Sequence, residues 1–278
     1  MKVKIVVKII AGLLIAAILV VVGFFGYKLY QNGFNFNKTF GIGVSEKLVE
    51  EKELTIIKEI DIKFNTSDIE FKPSEDNAIK VAIYSDRDGE HSITEEEGGI
   101  VKVSINEKKL KFWKRLFNHR ISRVLVYLPK DFEGKINIDG DVGDINIGDY
   151  NYSLITAKLN VGDIYIDGAK EANIDLDVGS VKLKNAYSNF NIKVDTGNVR
   201  MKEATVLKDS TIDVNIGDVR IEQTNEVKIE TKVDVGKEEV TKNYDDKEIT
   251  LKITVNVGNI TVLAPVEEEK KEETKTND

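Results

Sequence analysis

One close group of side chains able to do chemistry is the run from Asp139 to Asp149, DGDVGDINIGD, which holds the carboxylates of Asp139, Asp141, Asp144 and Asp149. Oxygen ligands packed that closely are what a calcium ion requires. The run lacks the closing glutamate of an EF-hand loop and the double-glycine nonapeptide of calcium-binding β-rolls. His91 and His119 are the two histidines, and both lie in sequence that reads as loop. Neither has a metal-ligand spacing or a nucleophile–base arrangement around it, so both read as surface residues. Cysteine is absent, which excludes thiol catalysis, Cys-type zinc sites and a disulfide framework. Parallel β-helices can act on polysaccharides through a carboxylate cluster and a base on one face, whereas the acids here are scattered. The expectation is a chain that is no enzyme and carries no metal or cofactor.

The aspartate run belongs to a repeat. DVGDINI at 141–147 is followed by NVGDIYI at 160–166, DVGSVKL at 177–183, DTGNVRM at 195–201 and NIGDVRI at 215–221. A degraded DVGKEEV fills 234–240, and NVGNITV ends the series at 256–262. The paired Asx and glycine positions are Asp141 and Gly143, Asn160 and Gly162, Asp177 and Gly179, Asp195 and Gly197, Asn215 and Gly217, Asp234 and Gly236, and Asn256 and Gly258. A period of about 19 residues outranks any local signal, because it marks a repeat architecture. The Asx two places before each glycine is expected to accept a hydrogen bond from the glycine N–H, closing an Asx-turn while glycine takes a positive φ. Two and four places after the glycine the residue is apolar in every copy except for Glu238, and apolar residues also recur three and five places before it, as in Ile174 and Leu176 or Ile192 and Val194. That is strand alternation on both sides of a corner.

Two topologies share this parity. Each corner could join antiparallel arms as a tight hairpin, giving an array of β-hairpins. Alternatively each copy is one coil of a single-strand-repeat β-solenoid, parallel and β-helix-like, with Val stacked on Val and Asx on Asx. The short arm after the glycine and the fixed return to the next copy favour the solenoid. FNTSDIEF at 64–71 fits the same columns with Ser67 in the glycine place, and Ser67 precedes Gly143 by four periods. Residues 50–264 therefore read as one continuous all-β domain, a rod of about 50–60 Å if every period is a coil.

The ends differ. Ile9 to Phe25 carries no charge, and the apolar span extends over 5–27 if Lys8 snorkels. It is near the length that crosses a bilayer as a helix. Lys2, Lys4 and Lys8 precede it and Lys28 follows it, which keeps the amino end in the cytoplasm. The alternative is a cleaved signal peptide, against which no small-x-small site follows the apolar run. Residues 1–30 are expected to be a single-pass signal anchor in the cell membrane and 31–50 a juxtamembrane stalk, with the C-terminal domain extracellular. Residues 265–278 read as a charged, disordered tail.

One insert departs from the repeat. EKKLKFWKRLFNHRISR at 107–123 sets Lys108, Lys109, Lys111, Lys114, Arg115, Arg120 and Arg123 around Phe112, Trp113, Leu116 and Phe117. The chain carries a net charge of −8, and the part beyond residue 30 is more acidic still. No nucleic-acid partner is expected of it. Cations interleaved with aromatics suit anionic lipid or an anionic cell-wall polymer, so Lys109, Lys111, Phe112, Trp113, Lys114, Arg115, Phe117 and Arg120 are the expected contact. The alternative is a solvated loop whose aromatics cap the solenoid end.

The anchor, the entry FNTSDIEFKPSEDNAIKV, the phrase VLVYLPKDFEGKINIDGDVGDINI and the Gly-Asx coils that follow resemble the bacterial putative-adhesin family, a domain of unknown function found in membrane-anchored proteins of the LiaG type. The resemblance covers about 50–264. It implies a repetitive β domain displayed on the envelope and brings no catalytic residues. The function expected is binding, adhesion or scaffolding, with envelope-stress signalling through a membrane-protein partner as the alternative.

Overall fold

The computed structural model describes residues 47–108, 122–148, 152–223 and 225–265, all of which are strand, turn or loop. The expected anchor over 5–27, the stalk up to residue 46 and the tail lie outside them. So do Lys109, Lys111, Phe112, Trp113, Lys114, Arg115, Phe117, His119 and Arg120.

In chain order the strands are β1 (Lys47–Leu54), β2 (Glu59–Pro73), β3 (Ile79–Ser85), β4 (Gly89–Glu96), β5 (Ile100–Glu107) and β6 (Ser122–Leu128). There follow β7 (Lys135–Val142), β8 (Ile145–Ile147), β9 (Leu154–Val161), β10 (Ile164–Val178), β11 (Val181–Thr196) and β12 (Val199–Val206). The last are β13 (Ser210–Ile216), β14 (Val219–Gln223), β15 (Lys228–Val235), β16 (Glu238–Val240), β17 (Thr250–Val257) and β18 (Ile260–Leu263). From β7 onward every pairing is parallel, and each strand pairs with the equivalent strand of a neighbouring copy. The repeat is therefore a β-solenoid, and the hairpin alternative is set aside.

Each coil contributes two arms to two walls. The entry wall holds the arms that run into the glycine, and the exit wall those that leave it. Ile174 and Leu176 on the entry side, and Val181 and Leu183 on the exit side, are all buried, as are Ile192, Val194, Val199 and Met201 one coil on. The apolar columns of the sequence are thus the core, and each buried aliphatic contributes about 1.5–3 kcal/mol of transfer free energy. The residues before the glycines stack as expected, Val142 on Val161 on Val178 on Thr196 on Ile216 on Val257 on Val235.

Spatial order departs from chain order at both ends. Ser67 and Gly143 are not four coils apart but one, since Thr66 pairs with Val142 and β2 lies directly against β7 and β8. The chain between them leaves the stack. β3 runs antiparallel to β1 and β6, and β4 antiparallel to β5. Those segments carry no Gly-Asx corner, so they cannot bend into coils and extend the walls as plain strands instead. β2 itself runs unbroken through Ser67. The entry wall comprises ten strands, β4, β5, β2, β7, β9, β10, β11, β13, β17 and β15, which spans about 45 Å rather than 50–60 Å.

At the other end, β17 and β18 insert between the coil of β13 and β14 and that of β15 and β16. The degraded copy is therefore the terminal rung. The reason is chemical, because Glu238 occupies a column that is buried elsewhere, and only a rung with one open face leaves it exposed.

Candidate functional site

The corners are built differently from the expected Asx-turn. Every corner glycine has a φ between +144° and +149°. On every rung but the terminal one of Gly236, its N–H donates to the carbonyl oxygen of the residue before the glycine of the next rung: Gly143 to Val161, Gly162 to Val178, Gly179 to Thr196, Gly197 to Ile216, Gly217 to Val257 and Gly258 to Val235, at 2.8–3.0 Å. Those N–H groups are thus taken by the inter-coil ladder. The Asx residues before the glycines are instead side-chain rungs: Asn160 donates to Asp141 and Asn256 to Asn215, each at 3.0 Å.

The capping column is the one after the glycine. Asp68, Asp144, Asp163, Asn198, Asp218 and Asn259 each accept the N–H of the equivalent residue one rung along, at 2.8–3.1 Å. The acceptor is thus the Asx after the glycine, not the Asx two places before it that the sequence pattern predicts. Between the two polar columns runs an apolar edge, since Val142, Val161, Val178, Ile216, Val257 and Val235 are 40–63% exposed.

The two walls present opposite charge patterns. Four places before the glycine, the entry wall stacks Lys63, Asp139, Lys158, Asp175, Lys193 and Asp213 as successive Cα partners. The sign alternates at every rung, the arrangement that favours cross-strand pairing. Three places after the glycine, the exit wall stacks Lys182, Arg200 and Arg220. Two places further on, Lys184 stands beside Lys202. Lys182 lies 3.9 Å from Asp163, Lys184 4.0 Å from Asp167, and Arg220 3.6 Å from Glu222. Like charges one rung apart repel, by at most about 1 kcal/mol in water, and Asp163 and Glu222 offset part of that for Lys182 and Arg220. A cleft follows the column across five rungs, lined by Lys182, Arg200, Arg220, Lys237, Asn198 and Asn259 among others.

A second polar group is buried where the coils give way to plain strands. His91 is not a surface residue in a loop; it lies in β4, and its Nε2 is 3.0 Å from Glu107 Oε1. Glu107 ends β5, and its side chain is 1% exposed. The hydroxyls of Ser85, at 2.8 Å, and Ser122 donate to the same oxygen. Serine, histidine and a carboxylate are thus together, but hydroxyls and imidazole converge on the acid. A nucleophilic triad needs the imidazole between the hydroxyl and the acid. Arg123, read as part of the basic insert, belongs to β6, with its guanidinium 5.7 Å from the Tyr84 ring centre. Among the described residues no group of three or more His, Asp or Glu side chains is placed to hold a metal ion.

These features define a class: a parallel β-solenoid that turns on glycine, buries an aliphatic core and sets columns of charge on its outer faces. The chain belongs to the Toastrack DUF4097 family, which matches residues 57–278. No curated protein matches it. Among solved structures it is similar to a putative cell adhesion protein from Clostridium sporogenes, at 15% identity over 78% of this chain and 100% of that one, with a TM-score of 0.37. It is similar also to a putative adhesin from Bacteroides fragilis, at 15% identity over 79% and 98%, with a TM-score of 0.37. A putative lipid binding protein from Parabacteroides distasonis aligns at 15% identity over 79% and 98%, with a TM-score of 0.29.

Proposed function

We propose that this chain is a single-pass membrane protein whose solenoid stands outside the cytoplasm and binds a component of the cell envelope without transforming it. The observation that carries this reading is the sign contrast between the walls. The entry wall alternates charge and stabilises its own stacking, whereas the exit wall keeps Lys182, Arg200 and Arg220 in register at a cost. A cost held across adjacent rungs on an acidic chain marks a surface kept for an anionic partner. The apolar span over 5–27 and its lysine asymmetry supply the anchor and its orientation.

The basic insert is a second contact, Trp113 and Phe112 suiting the lipid interface and Lys109, Lys111, Lys114 and Arg115 its negative charge. Protease added to wall-stripped intact cells should degrade everything beyond the stalk. The full-length protein in zwitterionic nanodiscs should retain solubilised envelope material at low salt and release it at high salt. A domain protected until the membrane is lysed, or no retention at any salt, would refute the reading.

A further inference from the structure

The exit wall carries more information than its sign. Lys182, Arg200 and Arg220 are Cα partners on three consecutive rungs, and Lys184 and Lys202 repeat the pattern on the first two of those rungs one column out. Rungs of a sheet lie about 4.8 Å apart, so three of them set cations along roughly 10 Å of the solenoid axis. Tyr165 on the rung before and Thr261 on the rung after bound the column with uncharged side chains. Arg200 and Lys202 are exposed and form no ion pair among the described residues. The cleft also holds two acids: Glu239, exposed in the same column beyond Thr261, and Asp218, whose Oδ1 accepts the Asn259 N–H and the Asn259 side-chain amide at 2.8 and 2.9 Å. Those bonds orient the Asp218 carboxylate without cancelling its charge, and the four cations lining the cleft, Lys182, Arg200, Arg220 and Lys237, outnumber its two acids.

The cleft is open along its length and runs with the axis, from the Ser180 rung to that of Lys237. A small anion would need an enclosed end, which an open trough does not give. A chain with charges at intervals would lie along it and meet one cation after another. Two arginines stand on adjacent rungs, and a planar guanidinium grips tetrahedral phosphate oxygens in a bidentate way that a lysine cannot match. We infer that the exit-wall cleft is a binding site for a linear phosphodiester polymer, laid along the solenoid axis against Lys182, Arg200 and Arg220. The inference rests on the envelope-binding reading above and names the ligand class for that wall.

The test uses the full-length protein in zwitterionic nanodiscs, with poly(glycerol phosphate), polygalacturonate and inorganic phosphate as probes. Poly(glycerol phosphate) should bind at low salt. Arg200→Gln with Arg220→Gln should weaken it about tenfold or more, the loss expected for two charge-assisted contacts. Measured at about 0.15 M salt, Lys158→Gln with Lys193→Gln removes equal charge from the alternating wall and should change binding by no more than about twofold, because a Debye length of about 8 Å confines the effect to the cleft. Lys182→Gln with Lys202→Gln gives an independent pair if the arginine variant fails to fold. The inference falls if both walls respond alike, or if neither cleft pair weakens binding. It falls too if polygalacturonate or inorganic phosphate binds as tightly as the phosphodiester chain. Retention of envelope material without phosphodiester binding would overturn this inference and leave the broader reading standing; no retention at all would end both.

Discussion

The carbonyl oxygen of Gly162 stands where a β-carbon on Gly179 would have to be. The same relationship links Gly143 to Gly162, Gly179 to Gly197 and onward to the last rung, and Ser67 supplies the carbonyl for Gly143. Each corner is closed against its neighbour by bare backbone. At Gly179 φ is +145°, and the N–H is 3.0 Å from the Thr196 oxygen, so the backbone cannot withdraw without breaking the ladder. Glycine is required there twice, for its torsion and for the missing side chain.

Gly179→Ala should therefore cost about 2–5 kcal/mol, combining positive-φ strain with overpacking against a rigid carbonyl. Gly98 supplies the comparison, since its φ is +89° but a β-carbon there would meet nothing within 4 Å. Gly98→Ala should cost only the torsional part, about 1–2 kcal/mol. Urea midpoints would show it. Equal losses at the two sites would mean the carbonyl contact is irrelevant.

The two Asx columns should separate cleanly. Asp163→Ala removes the acceptor of the Ser180 N–H and should cost about 1 kcal/mol. Asp177→Ala alters an exposed position before the corner and should stay within about 0.5 kcal/mol. The reverse ranking in denaturant melts would restore the Asx-turn.

Much of this fold is legible in the sequence because one physical rule repeats. Ile174, Leu176, Val181 and Leu183 read as core from alternation about a glycine, and they are core. Other features depend on which rung meets which, and no local pattern encodes that. Asp175 lies between Lys158 and Lys193 only once the register is known. The two Asx columns flank the same glycine, and the choice between them turns on the next rung taking the glycine N–H. His91 looks like a loop residue because a polar strand such as GEHSITEE has little alternation, and its partner Glu107 is 16 residues away. The displaced final coil had one legible trace, Glu238 in a column that is otherwise apolar.

The alternating ladder should be salt-sensitive. Asp175→Lys would place three lysines on successive rungs and should destabilise by about 0.5–1 kcal/mol at low salt. Added salt should shrink that loss, since the groups lie on the outer face. A loss that persists undiminished in molar salt would point to packing rather than charge.

The last prediction concerns Glu107, where glycine corners give way to plain strands. Its carboxylate draws together Ser85, Ser122 and His91, while Asn65 engages its N–H at 2.8 Å and its carbonyl at 2.7 Å. Ser67, standing in the glycine column, donates its hydroxyl to the Ser122 carbonyl at 2.9 Å. One buried acid thus joins β2, β3, β4 and β6 to the end of β5. Removing a buried acceptor costs more than removing one of its donors, because several donors are then left without water or partner. Glu107→Ala should cost about 3–5 kcal/mol, because Ser85, Ser122 and His91 all lose a buried acceptor at once. Ser85→Ala removes one donor of three and should cost about 1–2 kcal/mol. Glu107→Gln should fall between them, since its amide oxygen still accepts but its NH2 faces hydroxyls that must then reorient. Denaturant melts of the three variants decide the matter. If Glu107→Ala is no worse than Ser85→Ala, the acid does not organise this junction, and apolar packing across β2 to β6 holds it instead.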